Sequence, residues 1–437
     1  IRRPPRSTLS SSSAASDVYK RQGHEVDLFE KSPTLGGMAA TFELEPGLPL
    51  EYFYHHLFTN DTHILALVEE LGIADRLMYL ESVMGLFSQG RIYNFTTPLD
   101  LLRFRPLPPA DRIRFGLGAL RLRRTRDWQS LEGTTAVEAM PRFVGRAATE
   151  VIWKPLLRGK FGRHWDEVSM VWLWGKIALR GKSRKGGGAK EYLIYPQGSF
   201  KTITDRLEQE IVRLGGSIHT GQEVTRVRSE AGTVRGIETS QGTHDLDFLV
   251  HTAMSGILTD MTPELPPEYV ERINRLSYVA VVCMVLELDR RFSRIYWMNN
   301  GDASLPFGGL IEQTNFIPPE NYGGRHLLYI SRYLDADDPI YRFTAEQGLD
   351  FFTPHLQKVN PEFSRDWVRK AHLFRYPYAQ PIIRTHYSEM LPEFGTPIRG
   401  LYIANLSQIY PEDRGTNYSV RLAEQVVAQI EQDGPPR

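Results

Sequence analysis

Apolar residues recur along the chain with two different periods, and the two patterns predict both strands and helices. Short apolar runs at residues 26–29 and 400–404 have the length and composition of buried strands. Apolar residues three or four positions apart at 64–71, 203–214 and 423–430 predict helices with one buried face. Strands and helices mixed along one chain in this way predict an α/β fold, α+β overall.

A second kind of region interrupts these segments. Residues 84–95 alternate around a Gln-Gly pair and predict a hairpin, residues 128–180 predict helices rich in tryptophan, and the runs at 279–288 and 326–334 predict strands of one sheet beneath a cavity. We therefore predict two interleaved domains. The first is expected to comprise residues 23–75, 190–262 and 395–437, and the second residues 76–189 and 263–394.

Residues 1–22 follow neither pattern. They contain six serines and no glycine, and they show no helical or strand period. Their arginines and serines are compatible with a targeting peptide, but an apolar central region is missing from the sequence. The segment also resembles translated read-through of a sequencing adapter, and we favour a foreign or disordered segment over a targeting peptide.

Composition limits the classes of partner and compartment. The 437 residues include 52 basic and 52 acidic side chains, so no net field predicts binding to nucleic acid. The only cysteine, Cys283, lies in an apolar run, which predicts a core residue and a cytoplasmic protein without internal disulfides. Apolar runs are too short to cross a bilayer, and metal-ligand spacings are missing from the sequence, so we expect a soluble protein with no metal site.

A carboxylate and a glycine pair stand close together after the first apolar run. Glu30 ends that run, and an acid at the tip of the second strand of a dinucleotide-binding βαβ unit accepts two ribose hydroxyls. Gly36 and Gly37 follow, and a glycine doublet lets backbone N–H groups approach a ligand closely. A G-x-G-x-x-G turn is expected about 20 to 25 residues before such an acid, but the sequence there includes Pro4 and Pro5.

This stretch, GHEVDLFEKSPTLGGMAAT at residues 23–41, resembles the FAD-binding signature of the amine oxidase and protoporphyrinogen oxidase superfamily, which includes phytoene desaturases and UDP-galactopyranose mutases. The resemblance implies FAD as cofactor and a Rossmann-like FAD-binding domain, here lacking its first strand, interleaved with a substrate domain of mixed sheet and helices. Without that strand, we expect the chain to bind FAD poorly or not at all. The cofactor contacts implied are Glu30, Lys31, Gly36, Gly37, Met38, Ala39 and, through its backbone, Val224.

The C-terminal segment is similar to the last motif of the same superfamily, a strand, a loop and a glycine-led helix that faces the flavin. Asn405 and Leu406 stand where that family has Gly-Asp, so the usual acid is missing unless Glu412 or Asp413 replaces it. Helix N-termini favour the negative charge of a reduced flavin. The further cofactor contacts implied by the resemblance are Asn405, Arg414, Gly415, Asn417 and Tyr418.

Four residues are candidates for catalysis, although the sequence assigns the role to none of them. His55 and His56 are adjacent, so they should point in opposite directions, and one of them is a candidate to touch the flavin or the substrate. Glu312 and Arg332 lie in apolar surroundings, where a titratable group is either part of a structural ion pair or a candidate acid or base. For both, the structural interpretation is the favoured one.

Eight arginines between residues 103 and 126 leave three interpretations open: a solvated helix face, which we favour, a site for an anionic substrate such as a nucleotide sugar, or a peripheral contact with anionic lipid.

The leading function implied by the resemblance is an FAD-dependent oxidoreductase acting on a C–N or C–C bond of a small or apolar substrate. The alternatives are a non-redox sugar-nucleotide mutase of the UDP-galactopyranose mutase type and a non-catalytic family member. The sequence leaves the oligomeric state open.

Overall fold

The protein is described here by a computed structural model that covers residues 25–178 and 190–434. Our interpretation of residues 1–22, including the expected loss of the first strand, lies outside the described residues. Within them the predicted mixture of helices and sheets is confirmed.

Two pairs of parallel strands form the part of the fold predicted to bind nucleotide. Strand β1 (Asp27–Glu30) pairs with β9 (Ser217–Thr220), and β13 (Leu249–His251) pairs with β19 (Leu401–Ile403). No strand of the described ranges belongs to both pairs. Parallel partners so distant in sequence require crossover connections, and the intervening segments provide them.

Three small antiparallel sheets surround these pairs. They contain β2 (Thr41–Glu43) with β3 (Pro49–Glu51); β4 (Leu57–Phe58) and β5 (Leu77–Ser82) on either side of β8 (Glu191–Pro196); and β10 (Val224–Glu230), β11 (Thr233–Thr239) and β12 (Gly242–Asp245). Strand β5 lies in a segment predicted for the substrate domain, yet it pairs with a strand predicted for the other domain. The exact domain bounds therefore stay a prediction.

A seven-stranded sheet forms the floor of the second region, in the order β18-β14-β17-β16-β15-β6-β7. Its strands are β6 (Met84–Ser88), β7 (Arg91–Asn94), β14 (Tyr278–Leu288), β15 (Trp297–Asn300), β16 (Gly309–Glu312), β17 (His326–Leu334) and β18 (Val368–Pro381). The predicted hairpin is confirmed as β6 and β7. Because one sheet contains strands from residues 84–94 and from residues 278–381, the chain leaves this region and returns to it.

Helices cover the sheets and connect the two regions. They are α1 (Thr62–Glu70), α2 (Pro98–Arg103), α3 (Pro109–Arg124), α4 (Ala136–Val144), α5 (Lys154–Phe161), α6 (Met170–Ala178), α7 (Lys201–Arg213), α8 (Ser255–Met261), α9 (Pro267–Asn274), α10 (Ala345–Val359) and α11 (Thr416–Asp433). A short helix, Arg146–Ala148, and a π-helical turn, Thr149–Trp153, lead into α5. The tryptophan-rich stretch packs as a helical core, as predicted.

Strand β14 is covered by a hydrophobic core on each face, which explains why its apolar residues do not alternate with polar ones. Val281, Cys283 and Val285 pack into the core on one face of the large sheet, while Met284 and Leu286 pack into a separate core on the other face. A strand covered on both faces has no solvent side, so the consecutive positions from Val279 to Leu286 are all apolar. Cys283 is fully buried, and burial raises the pKa of its thiol, which confirms it as a core residue.

Candidate functional site

A group of charged and aromatic side chains meets where β17 and β18 face the loop before α11. Arg414 donates hydrogen bonds from its guanidinium to the hydroxyl of Tyr333 at 2.8 Å and to the Gln380 side-chain oxygen at 3.1 Å. The Nζ atom of Lys160 lies 4.0 Å from the centre of the Tyr333 ring. We call Lys160, Tyr333, Asp413 and Arg414 the Arg414 cluster.

Close backbone packing brings Lys160 to this place. A Cβ atom on Gly159 would lie only 2.9 Å from the Cα of Gly308, so only glycine at this position lets α5 approach the backbone that leads into β16. The next residue along α5 is Lys160. The helix therefore projects a lysine toward the ring of Tyr333 on the neighbouring strand β17.

Asp413 balances part of the positive charge. One of its oxygens accepts hydrogen bonds from the indole N–H of Trp172 at 3.0 Å and from the amide of Gln380 at 3.1 Å, and the other forms an ion pair with Lys176. Burial acts to raise the pKa of this carboxyl, but Lys176, Lys160 and Arg414 outweigh burial and hold it well below its usual range. Asp413 is therefore ionised at neutral pH.

The two other ionisable members of the cluster titrate near neutrality. Burial lowers the pKa of Lys160 to about 8. Burial acts to raise the pKa of Tyr333, but the charges of Lys160 and Arg414 outweigh it and bring this pKa down to about 8. A phenol and an ammonium group in contact, each with a pKa near 8, can hold or release a proton at physiological pH.

Tyr54 and His55 extend the site along the segment that follows β3. The hydroxyl of Tyr54 donates to Ser331 Oγ at 3.3 Å, and burial raises the pKa of Tyr54 well above its usual value. His55 donates from Nδ1 to the backbone oxygen of Phe53 at 2.6 Å. Burial, with a further contribution from Arg414, lowers the pKa of His55 to about 4. His55 is therefore a neutral histidine near the Arg414 cluster.

His56 points elsewhere, as the sequence predicts for adjacent histidines. Its Nδ1 lies 3.1 Å from the hydroxyl of Tyr296, and its ring packs edge-on against Phe58 and Trp297. Of the two histidines, the structure brings His55 toward Arg414 and places His56 among aromatic rings.

The predicted nucleotide end of the site is assembled around Glu30. This residue is 5% exposed, and its carboxylate accepts a hydrogen bond from the backbone N–H of Ser32 at 2.6 Å. The backbone N–H of Gln222 donates to the Glu30 backbone oxygen at 3.1 Å, and Lys31 forms an ion pair with Glu223. These contacts bring the start of β10, and with it Val224, next to the acid.

The glycine doublet adopts the conformation that its sequence predicts. Gly36 and Gly37 have φ of 107° and 55°, in the region that side chains rarely adopt. A Cβ on Gly36 would also lie 3.0 Å from the Cα of Ala40. Met38 and Ala39 follow in a buried single-turn helix. The doublet therefore turns the backbone sharply just beyond the tip of β1.

Two predicted cofactor contacts have side chains committed to other roles. Asn405 is fully buried and caps a short helical turn, accepting from the N–H and hydroxyl of Ser407 while its amide donates to the Ala253 oxygen and to Ser255. The side-chain oxygen of Asn417 accepts from the first N–H groups of α1 at 2.8 and 3.2 Å, so it caps that helix. Both side chains therefore act as helix caps, and the cofactor contacts predicted for the two residues stay a prediction. An asparagine side chain can accept hydrogen bonds from the unpaired N–H groups at the start of a helix, and this role needs no cofactor.

The other residues of this loop divide between the site and its support. Glu412 forms a two-pronged ion pair with Arg421, at 2.9 Å for each contact, whereas Asp413 belongs to the Arg414 cluster. Gly415 precedes the first residue of α11, and Tyr418 packs one turn into that helix beneath the guanidinium of Arg421. Arg414 and Gly415 thus stand at the N-terminus of an 18-residue helix, as predicted.

Glu312 and Arg332 lie outside the Arg414 cluster because the geometry of the sheet turns them to its other face, and their candidacy for catalysis stays a prediction. Arg332 follows Ser331 and precedes Tyr333 on β17, so its side chain points to the opposite face. Its guanidinium donates to the Pro306 oxygen at 2.8 Å and pairs with Asp338. Glu312 lies opposite Leu328, on that same far face, in the register of β16 and β17.

Glu312 holds a loop in place. Its carboxylate accepts hydrogen bonds from the backbone N–H groups of Phe292 and Ser293 at 2.7 and 2.6 Å. Burial raises its pKa to about 7. Three donated hydrogen bonds, including one from the Ser293 hydroxyl at 3.0 Å, satisfy the buried acid, which is the structural interpretation favoured by the sequence.

Sequence reasoning missed Lys160 and Tyr333. Lys160 lies in a tract in which basic and aromatic residues alternate irregularly, and Tyr333 is one of several aromatics in an apolar strand. A signal for Tyr333 was present in the alternation of β17. Tyr329, Ser331 and Tyr333 occupy alternate positions, so they share the face of the sheet that contacts Tyr54.

The residues present fit a flavin dinucleotide. A buried acid at the tip of a parallel strand suits ribose hydroxyls, the glycine turn exposes backbone to a pyrophosphate, and Arg414 before α11 suits the electron-rich end of the flavin. Within the described ranges, no three His, Cys, Asp or Glu side chains group closely enough to bind a metal ion.

Comparison with known proteins points in the same direction. A family model for flavin containing amine oxidoreductases matches residues 13–411. No curated protein matches the sequence.

Solved structures share the fold. The chain is similar to an oxidoreductase from Methanosarcina mazei at 19% identity, 96% and 97% coverage of the two chains and a TM-score of 0.76. It is also similar to reduced UDP-galactopyranose mutase, at 14% identity, 98% and 95% coverage and 0.74. For cyclohexylamine oxidase from Brevibacterium oxydans the values are 13%, 98% and 99%, and 0.73. At such identities the likeness concerns the fold alone.

Proposed function

The chain belongs to the flavin-containing amine oxidoreductase family, and from this premise we propose that it is an FAD-dependent oxidoreductase whose substrate carries an acidic group. The observation that carries the proposal is the Arg414 cluster, in which Arg414 binds the hydroxyl of Tyr333 and Lys160 lies over its ring. FAD, when bound, supplies the hydride acceptor for oxidation of a C–N or C–C bond.

The residues that would hold FAD are distributed along two segments. Glu30 would accept ribose hydroxyls, and the backbone at Gly36 and Gly37 would approach the pyrophosphate. Arg414 and the start of α11 would lie at the flavin end, where positive charge favours the reduced, anionic form. Val224 would contact the adenine through its backbone.

The charge balance of the cluster supports an anionic substrate group. Lys176 is paired with Asp413, which leaves Lys160 and Arg414 as two cations that both contact the phenol of Tyr333. Both cations and Tyr333 are half-buried, so they are only partly screened by water. A carboxylate or phosphate between Lys160 and Arg414 would reduce their mutual repulsion and orient the rest of the substrate toward the flavin.

The low pKa of His55, about 4, and the pKa of Tyr333, about 8, support a role for the tyrosine in proton transfer. Tyr333 can accept a proton as the tyrosinate or donate one as the phenol, with Lys160 stabilising the ionised form. Trp172 and Gln380 hold Asp413 in place and thereby fix the position of the cluster rather than take part in chemistry.

The test is anaerobic bleaching of flavin absorbance after the purified protein has been incubated with FAD. We expect amino acids to bleach the flavin at lower concentration than the matching amino acid amides, and Lys160→Met to remove that preference. Lys370→Met, at an exposed lysine on β18, serves as the control. Retention of FAD without any difference between acids and amides in either protein would refute the acidic substrate group.

A non-redox mutase acting on a sugar nucleotide is the second candidate, and the paired cations of the Arg414 cluster favour it because a diphosphate is also an anion. Conversion of UDP-galactopyranose that occurs only after dithionite reduction of the flavin would support the mutase. In a chain whose first strand and G-x-G-x-x-G turn have been restored before Glu30, failure to retain added FAD would instead support the third alternative, a non-catalytic family member.

A further inference from the structure

Exposed apolar side chains are concentrated in one part of the chain. Of the ten large hydrophobic residues that are most exposed in the described ranges, six fall between residues 92 and 120. They are Ile92, Leu99, Leu102, Ile113, Leu117 and Leu120. Scattered single apolar residues are normal on a surface, but a contiguous group marks an interaction site.

Helix α3 carries the centre of this group and has two apolar faces. Its inner face is fixed against α4, where Gly118 is packed so closely that a Cβ would lie 2.1 Å from the Phe143 backbone oxygen. The opposite face bears Ile113, Leu117 and Leu120, which are 57%, 63% and 46% exposed. Their spacing of four and three residues forms a continuous stripe along the helix. Burial of the helix therefore explains one apolar face and leaves the other without a partner in the described structure.

Positive charge flanks the stripe. Residues 103–126 contain eight arginines and a single acid, Asp111. By helical spacing, Arg114 and Arg121 lie on one side of the stripe, and Arg112 and Arg123 lie on the other. A cleft of about 530 Å³ next to Arg114 is lined by two further arginines, at 142 and 146. The surface thus combines an apolar ridge with cations on both flanks. We call it the α3 surface.

We propose that the α3 surface docks on a bilayer containing anionic lipid, with α3 lying in the plane of the membrane interface. Aliphatic side chains enter the acyl boundary and flanking arginines pair with lipid phosphates in this mode of binding. Two copies of the same surface would bring like charges together, so a second copy of this chain is a poor occupant. Among the helices of the described ranges, none combines the length and the apolar composition that spanning a bilayer requires.

The docking surface is one helix away from the candidate site. The indole N–H of Trp174 on α6 donates to the backbone oxygens of Leu122 and Thr125, both at 3.1 Å, at the end of α3. The same helix α6 carries Trp172 and Lys176, which contact Asp413 of the Arg414 cluster. Membrane docking would therefore leave only helix α6 between the α3 surface and the Arg414 cluster. Docking itself is independent of the proposed oxidoreductase function.

The experiment is co-sedimentation of the full chain with vesicles of phosphatidylcholine alone or of phosphatidylcholine with phosphatidylglycerol. We expect binding to the anionic vesicles only, weakening as salt is raised. The triple variant Ile113→Ser, Leu117→Ser, Leu120→Ser should lower the vesicle partition coefficient by about tenfold or more.

Controls separate docking from folding and self-association. Val212→Ser removes an equally exposed apolar residue, 57% exposed on α7, and should leave vesicle binding unchanged. Circular dichroism of the triple variant should match that of the unsubstituted protein, because the three side chains face outward.

Several outcomes would overturn the proposal. These are an absence of binding to anionic vesicles, binding that the triple variant retains, and a dimer in size-exclusion chromatography that the triple variant alone converts to a monomer. The last result would identify the α3 surface as a contact between copies.

Discussion

Glu51 is a buried acid that fastens the segment bearing Tyr54 and His55, and replacing it with glutamine should change how stability depends on pH. It is 1% exposed, its carboxylate accepts from the Tyr195 hydroxyl at 3.0 and 2.8 Å, and it accepts from the Phe200 backbone N–H at 2.8 Å. Burial raises its pKa to about 7, against a partial opposing effect of these hydrogen bonds.

The size and sign of the effect follow from this pKa. The folded protein holds the proton more tightly than the unfolded chain, whose carboxyl has a pKa of 4.5. The resulting stabilisation is fully present below pH 4.5 and is lost as pH rises through 7. Between these limits the difference corresponds to about 3 kcal/mol of unfolding free energy. A glutamine side chain has no proton that titrates in this range, so Glu51→Gln should lose this part of the pH dependence.

The assay is urea unfolding of both proteins at about pH 5 and about pH 8, with the free energy extrapolated to water. The unsubstituted protein should lose more stability over this interval than Glu51→Gln, by about 2 to 3 kcal/mol. Glu312 has a similar pKa but is present in both proteins, so its contribution cancels in the comparison. Glu208→Gln, at an exposed position of α7, is the control. Equal pH dependence in the Glu51→Gln and unsubstituted proteins would refute the assigned burial of a proton at Glu51.

Three further outcomes test the candidate site. Ultraviolet titration should show one tyrosinate forming near pH 8 that Tyr333→Phe removes, because Lys160 and Arg414 lower the pKa of this phenol to about 8; an unchanged titration curve would contradict that assignment. Asp413→Asn should cost about 2 kcal/mol of unfolding free energy in urea, since it leaves partly buried cations without their partner, and a cost below about 0.5 kcal/mol would show that the cations are not held by Asp413. Gly159→Ala should lower the melting temperature even though alanine favours helices, because its Cβ would lie 2.9 Å from Gly308; a stabilised variant would show that this contact relaxes.

Local pattern was sufficient to predict the elements that surround the site. The hairpin of β6 and β7, the helix that starts after Asp61 and the parallel strand ending at Glu30 all follow from apolar spacing and turn residues. The left-handed glycines at 36 and 37 were predictable for the same reason, since only glycine adopts these backbone angles without strain. The arginine-rich helix α3 was also predictable, and most of its arginines are exposed, as a solvated face requires, whereas its exposed apolar stripe is seen only in the structure.

The sequence by itself therefore determined the family resemblance, the fold class and the two chain segments where a flavin would be held, because these depend on local spacing. Only the tertiary structure decided which polar side chains meet. Lys160, Tyr333 and Arg414 are separated by most of the chain, and their contact depends on strand register and on the close approach of α5 to the sheet. The same register places Glu312 and Arg332 on the far face of the sheet. Because successive side chains of a strand point to opposite faces, a shift of one position would have turned them toward the Arg414 cluster.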